Sequence, residues 1–259
     1  MPLAEDPFFS VVTPVLNGSR FVPRYLDSLL GQNESRWECI IVDDGSTDSS
    51  VELILDMTRN DKRFLVTQNM RWSESVGPAS ARNLGVKLAR GTFICFLDID
   101  DLWLPALLST YMTMYQQDMR LKFIYSSYLR FDQVNAKGRV RRPPPPIYLH
   151  SYIEYLNPIP MLTSCIARDI AQAHHFPDAN HEDFIYWSQI LSRLKPEQIG
   201  FCDEVLSVYN VNSGSLSGNK LKSALWTFQC YRHCGHSLMK SCILFARYLV
   251  CHLKLYLQS

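Results

Sequence analysis

From residue 8 to residue 97 the chain alternates short apolar runs with longer stretches whose apolar residues recur at helical spacing. The runs at 8–13, 38–42, 64–67 and 92–97 are nearly continuous rather than alternating, as strands covered on both faces are. Between them, 21–30, 49–58 and 78–89 predict helices. Ser46, Thr47 or Asp48 caps the second and Gly91 ends the third. This alternation predicts an α/β fold, a mainly parallel sheet flanked by helices. Ligands of such sheets bind beyond the carboxyl ends of the strands. Three polar clusters fall there: 13–17, 43–48 and 98–101.

After Leu104 the pattern loosens. It predicts a helix near 105–116, a strand near 123–127, a helix starting near Ser151, a strand near 161–166 and a helix over 182–194. A proline run at 143–146 follows Lys137, Arg139, Arg141 and Arg142 and reads as a rigid surface connection, with a polyproline ligand for another protein as the alternative. Over 238–257 the chain is apolar on most sides, and Lys240, Arg247 and Lys254 stand seven residues apart, nearly aligned on one helical face. That arrangement suits a helix lying on anionic lipid; packing in the core or in a dimer is the alternative.

Composition narrows the class. Of 259 residues 47% are apolar, enough for a full core. Lys and Arg number 26 against 25 Asp and Glu, which argues against a globally basic nucleic-acid binder. The balance is uneven, because no carboxylate follows Glu204 and the last 55 residues carry +6 while the first 204 carry −5. Eight scattered cysteines and a start without a basic, then apolar, leader predict reduced thiols in a cytoplasmic enzyme. No run approaches the ~18 apolar residues of a spanning helix.

The chemistry concentrates in carboxylates. Asp98, Asp100 and Asp101 directly follow the apolar run 93–97. Acids so crowded raise one another's pKa unless a cation lies between them, and hard oxygen ligands suit Mg²⁺ or Mn²⁺, whose shells substrate phosphates often complete. Taken alone, the D-x-D pattern is as well explained by loop or capping acids. Its company is more specific: Val11-Val12-Thr13-Pro14, then Ile41-Val42-Asp43-Asp44-Gly45-Ser46-Thr47-Asp48, then Ser80-Ala81-Arg82-Asn83-Leu84-Gly85, then Phe96-Leu97-Asp98-Ile99-Asp100-Asp101-Leu102-Trp103-Leu104-Pro105. In this order they resemble the family 2 glycosyltransferases, inverting enzymes of the GT-A fold. The resemblance is strong over residues 8–106 and resumes at His181-Glu182-Asp183-Phe184 with Trp187. Val208-Tyr209-Asn210 and the segment 213–220 are similar to the subset that makes bacterial surface polysaccharides, including teichuronic-acid-type enzymes.

The resemblance implies roles. Thr13, Pro14 and Asp44 would line the nucleotide pocket, with Asp44 accepting an N–H from a base. Asp98 would lie near the ribose or the metal's water shell, and Asp100 would bind the metal that bridges the diphosphate. Arg82 would face phosphate or sugar. Asp183 would be the general base, since inversion needs a base on the face of the sugar opposite the leaving diphosphate; without the family, Glu182 and Asp183 read as first-turn acids of an ordinary helix. Leu16 stands where the family often has an aromatic residue. Cys230, His233, Cys234 and His236 sit within seven residues and lack a second pair at zinc-finger separation. His174-His175 reads as a helix end, and His181 as a neighbour of the acidic pair.

Together these readings give a GT-A domain over 1–212, with a nucleotide-sugar-binding half to 104 and an acceptor-binding half over 105–212, then a basic helical tail over 213–259. The expected reaction moves a sugar from a nucleotide-diphosphate donor, a UDP-sugar favoured, to a glycan or polyprenyl-linked acceptor at the inner face of the cell membrane. A non-catalytic nucleotide-sugar-binding partner is the rival. A sugar nucleotidyltransferase would need a glycine-rich loop near residue 14, where Gly18 stands alone.

Overall fold

The structure, a computed structural model, describes residues 6–69, 78–211 and 220–257. Among them β1 (Phe9–Val15), β2 (Trp37–Asp43), β3 (Phe64–Gln68) and β4 (Phe93–Phe96) alternate with α1 (Val22–Leu30), α2 (Ser50–Thr58) and α3 (Ala79–Leu88). Every residue of β1 and of β2 is buried. All pairings among these four strands are parallel, with Val11 opposite both Cys39 and Cys95. One sheet face carries Val12, Ile40, Ile94 and Phe96 against α3. The other carries Val11, Ile41 and Cys95 against α1. Gly85 lets α3 press on β1, because a Cβ there would stand 2.4 Å from a methyl of Val12.

Beyond β4 the sheet turns mixed. β5 (Leu102–Trp103), α4 (Leu107–Gln117), β6 (Phe123–Asp132), β7 (Lys137–Arg141), α5 (Pro146–Ile153), β8 (Ser164–Ala167), α6 (Arg168–Gln172), α7 (Glu182–Leu191) and β9 (Ile199–Val211) follow. The strand order is β3-β2-β1-β4-β8-β6-β9-β5, with β7 paired to β6. β8 runs antiparallel to β4 and β6, while β6 and β9 pair in parallel. The nine-stranded sheet with helices on both faces is the expected α/β architecture.

Several local expectations shift. The helix expected near Ser151 begins at Pro146, the first-turn position that tolerates a missing N–H. The proline run is therefore the entry to α5, and Tyr125 Oη donates to the Pro144 carbonyl at 2.5 Å. The strand expected at 161–166 begins at Ser164, after a 3₁₀ turn over Met161–Thr163. The helix expected to reach 194 stops at Leu191.

α8 (Lys220–His233) and α9 (Leu238–Leu257) follow; the segment 213–219 lies outside the described residues. Cys230, Tyr231 and Leu244 are buried in the same apolar cluster as Trp187 on α7. On α9, Ser241, Leu244 and Tyr248 form the buried face. Lys240 pairs with Glu154 at 3.3 Å and Arg247 lies over the Tyr155 ring at 4.5 Å, so two of the three aligned cations contact the body of the protein. Among the described residues no helix is long and apolar enough to cross a membrane.

Candidate active site

The loops after β1 and β2 lock each other. Asn17, in a left-handed conformation at φ 51°, accepts on Oδ1 from the backbone N–H groups of Thr47 (2.8 Å) and Asp48 (3.3 Å) and donates its own N–H to Ser46 Oγ at 3.0 Å. Asp43 accepts from the N–H groups of Gly45 and Ser46. Asp48 accepts from the Ser50 hydroxyl and from the N–H groups of Ser19 and Ser50, which hold its carboxyl down at about 2. These two acids are loop fasteners.

Of the residues expected to hold the nucleotide, Asp44 lies at this mouth. Its buried carboxylate accepts from Asn69 Nδ2 at 2.7 Å. Thr13 does not: it points to the α1 face of β1, fully buried, its hydroxyl hydrogen-bonded to that of Tyr25. Alternation along the strand puts Thr13 on the face of Val11 and Val15, with its hydroxyl turned toward Tyr25. Pro14 is likewise buried within β1.

Arg82 ties the remaining acids together. Its side chain is 5% exposed, donates from Nη2 to Asp98 Oδ1 at 2.7 Å and from Nη1 to Glu182 Oε1 at 2.6 Å, and keeps a buried Nε without a partner. Burial works against the guanidinium's charge, but Asp98 and then Glu182 hold its pKa above the ordinary value. Glu182 is pushed up by burial, opposed by Arg82 and reinforced by Asp183. Arg82, expected to face phosphate or sugar, joins the loop after β4 to the start of α7 through these two carboxylates at the helix entrance.

Asp183 has a donor on each oxygen. Oδ1 accepts from the N–H of Phe184 and Oδ2 from Asn157 Nδ2, both at 2.8 Å. Asn157 in turn accepts from the N–H of Ile159 at 3.2 Å, which fixes which end of its amide faces Asp183. His181 turns the other way, toward α8: its Nε2 lies 3.2 Å from Ser223 Oγ and its ring meets Trp226 edge to face. Cys230 is buried, its Sγ 3.5 Å from the Asn180 carbonyl, so packing accounts for it.

The loop after β4 is closed by β9. Asp101, 3% exposed, accepts from the Asn210 N–H at 2.9 Å, and Asn210 Nδ2 donates to the Asp100 carbonyl at 2.7 Å. Burial, then Asp100 and Asp98, push the Asp101 carboxyl well up. The Tyr209 hydroxyl is raised by burial and then by Asp101, with Asp98, Asp100 and Asp183 adding to it. Among the described residues no three His, Cys, Asp or Glu side chains converge as a cation cage; Asp98 and Asp100 are the partly exposed acids of this loop, beside the buried Asp101. Asn157 carried no signal in the sequence, since a lone Asn before a proline reads as a turn.

This geometry has relatives. The Glycosyl transferase family 2 profile matches residues 10–211. The UDP-Glc:alpha-D-GlcNAc-diphosphoundecaprenol beta-1,3-glucosyltransferase WfaP of Escherichia coli is 30% identical over 217 residues, 83% of this chain and 82% of that protein. The putative teichuronic acid biosynthesis glycosyltransferase TuaG of Bacillus subtilis is 28% identical over 232 residues, 87% and 88% of the two chains. Among solved structures, S. aureus TarS 1–349 with UDP-GlcNAc superimposes with a TM-score of 0.69 at 20% identity, covering 93% of this chain and 71% of that one. The mannosyltransferase PcManGT of Pyrobaculum calidifontis, solved with GDP-Man and Mn²⁺, gives 0.65 at 16%, covering 94% and 69%.

Proposed function

We propose that this chain, which belongs to glycosyl transferase family 2, moves a sugar from a nucleoside-diphosphate donor to an acceptor hydroxyl in one displacement with inversion. The UDP-linked chemistry named for WfaP and TarS favours a UDP-sugar, and the names of WfaP and TuaG favour a glycan or polyprenyl-linked acceptor in bacterial cell-surface polysaccharide assembly. The reading rests on one observation above all: Arg82 fastens Asp98, the first acid of the D-x-D, to the first turn of α7, which carries Asp183.

In this reading Asp44 binds the base of the donor and Asp98 and Asp100 face its diphosphate. The donor set fits a divalent cation: two acids two residues apart beside a third that burial and its neighbours hold up, with too few ligands for a cage unless donor phosphates complete the shell. When bound, Mg²⁺ or Mn²⁺ neutralises charge growing on the departing diphosphate. Asp183 takes the proton from the acceptor hydroxyl as the acceptor oxygen bonds to the anomeric carbon and the bond from that carbon to the diphosphate oxygen breaks. Asn157 and the Phe184 N–H aim its carboxylate, leaving lone pairs on both oxygens. Arg82 and Glu182 are positioning residues.

We place the protein at the inner membrane face, with the nucleotide-binding half to residue 104, the acceptor half to 212 and the tail beyond. Supporting membrane contact are the outward Met239, Ile243 and Val250 of α9, each more than half exposed, and the lack of carboxylates after Glu204. Incubation with UDP-, GDP- and dTDP-sugars and Mn²⁺ should release nucleoside diphosphate from one of them, and NMR of the product should show the inverted anomer. Binding without release would favour the non-catalytic partner, and a retained anomer would overturn the single displacement.

A further inference from the structure

The β6–β7 hairpin carries charge that the reaction above leaves unused. Residues 130–142 hold Arg130, Lys137, Arg139, Arg141 and Arg142 against the single acid Asp132. The strand register sets Arg130 directly opposite Arg139, and Tyr128 opposite Arg141. Opposed residues share a sheet face, where like charges destabilise the pair. Two neighbours are already engaged: Arg142 pairs with Asp203 at 3.0 Å, and Asp132 accepts from the N–H groups of its own turn, at Val134 and Asn135. Among the described residues no carboxylate forms an ion pair with Arg130, Arg139 or Arg141. Arg141 feels the crowding directly, since burial and then Arg139, with Arg130 further, lower its pKa.

The same face leads to the acids. β6 pairs in parallel with β9, which sets Arg130 opposite Tyr209. The rings of Tyr128 and Tyr209 meet edge to face, their centres 6.3 Å apart. Burial raises both phenols; Arg141 and Arg130 oppose the rise at Tyr128, while Asp101 adds to it at Tyr209. Among the described residues three guanidinium groups without an ion-pair partner thus share a sheet face with two phenols, and Asn210, next to Tyr209, holds the Asp101 carboxylate and the Asp100 carbonyl.

We propose that Arg130, Arg139 and Arg141 form the acceptor's phosphate subsite, so that the acceptor is a sugar carried on a phosphate or diphosphate. This rests on the transfer reading above and names the substrate class of that site. Guanidinium forks match phosphate oxygens in pairs, and an oxyanion between Arg130 and Arg139 relieves their mutual repulsion. Asp183 repels a phosphate at the reacting end, so charge orients the acceptor with its sugar hydroxyl toward that carboxylate.

The test is a calorimetric titration of the full chain, saturated with UDP, using decyl-diphosphate-N-acetylglucosamine and the phosphate-free decyl N-acetylglucosaminide. The parent should bind the diphosphate compound at least about tenfold more tightly, a difference of about 1.4 kcal/mol. The triple variant Arg130→Gln, Arg139→Gln, Arg141→Gln should lose that preference, the triple Lys variant should keep part of it, and Arg120→Gln, which precedes the opposite end of β6 and pairs with Asp118, should keep all of it. Circular dichroism checks the fold, and if the triple Gln variant is unfolded the single variants carry the comparison. A parent without preference, or a folded triple Gln variant that retains it, overturns the proposal. So does loss of binding to phosphatidylglycerol vesicles with undiminished affinity for the diphosphate compound, which would assign the arginines to lipid headgroups. A phosphate preference without sugar transfer to either compound would support the subsite and overturn the transfer reading.

Discussion

In the loop after β2, Asp43 and Asp48 accept from N–H groups two or three residues ahead or from the adjoining loop of β1. On α7, Glu182 and Asp183 find their partners at Arg82 and Asn157, 100 and 26 residues away in sequence. In the first region Asp43 and Asp48 are fastened by turn chemistry and by the neighbouring loop of β1, and only Asp44 in this loop reaches as far as Asn69, 25 residues on. The second exists only when α3, the loop after β4, the segment before β8 and α7 have come together. The comparison teaches that the donor side is an ordered frame and the base side is a tertiary assembly, joined by one buried guanidinium.

The largest effects separate the roles of the two sides. Asp183→Asn should cut transfer by the ~10² to 10⁴ that a positioned base supplies while donor binding survives in a nucleotide titration. Asp100→Asn should lose transfer together with Mn²⁺-dependent donor affinity, because the amide keeps the size and drops the charge. Unchanged Mn²⁺-dependent affinity in the second variant would remove Asp100 from the donor side, and near-normal transfer in the first would move the base elsewhere.

The junction comes next. Arg82→Met leaves Glu182 86% buried at its side chain and without its cation, and breaking a buried pair this way costs about 3–5 kcal/mol. Urea unfolding should show it, and adding Glu182→Gln to the same chain should recover most of the loss, since the orphaned charge is what destabilises. A cost below about 1 kcal/mol in the single variant would mean that the two regions are not joined through this residue.

Why one side was legible and the other was not follows from the same contrast. Strands β1, β2 and β4 are continuous apolar runs, and the polar clusters after β1, β2 and β4 sit at their ends, so period and composition located them. Asp98, Asp100 and Asp183 were singled out by motif, and their roles rest on the proposal above. The Arg82 bridge was invisible, because nothing in a sequence says that a guanidinium on α3 meets acids 16 and 100 residues later. The side on which the Thr13 hydroxyl points was equally unreadable, since it is set by packing against Tyr25. Strand β9 escaped because residues 199–211 mix polar and apolar positions on a strand with register shifts along its pairing with β6.

A smaller effect tests how finely the base side is assembled. Asn157→Ala removes one charge-assisted hydrogen bond to Asp183, and loss of such a bond is worth about tenfold in rate. The fall should appear in kcat with the donor's KM unchanged, because Asn157 touches the base and not the residues assigned to the nucleotide. An equal rise in KM would mean that the variant has disturbed the donor frame, and the two regions would then be less separate than their hydrogen bonds indicate.

The smallest effect concerns α9, whose two faces repeat the contrast on one helix. Leu244 faces the core, so Leu244→Ala should lower stability by about 2–5 kcal/mol. Ile243 is 56% exposed, so Ile243→Ser should leave stability within about 0.5 kcal/mol. If the outward face rests on a bilayer, the Ile243→Ser chain should float less with phosphatidylglycerol vesicles while its urea midpoint holds, because burial of that side chain in lipid is lost and nothing in the fold is. Salt should weaken flotation of the parent without abolishing it, since screening removes attraction to anionic lipid and leaves apolar burial intact. Lys240 and Arg247 contact Glu154 and Tyr155, so their replacement by Gln should reduce flotation less than the loss of Met239, Ile243 and Val250 together. The reverse order would return the contact to the cations, and absence of flotation in the parent would leave α9 a packing helix alone.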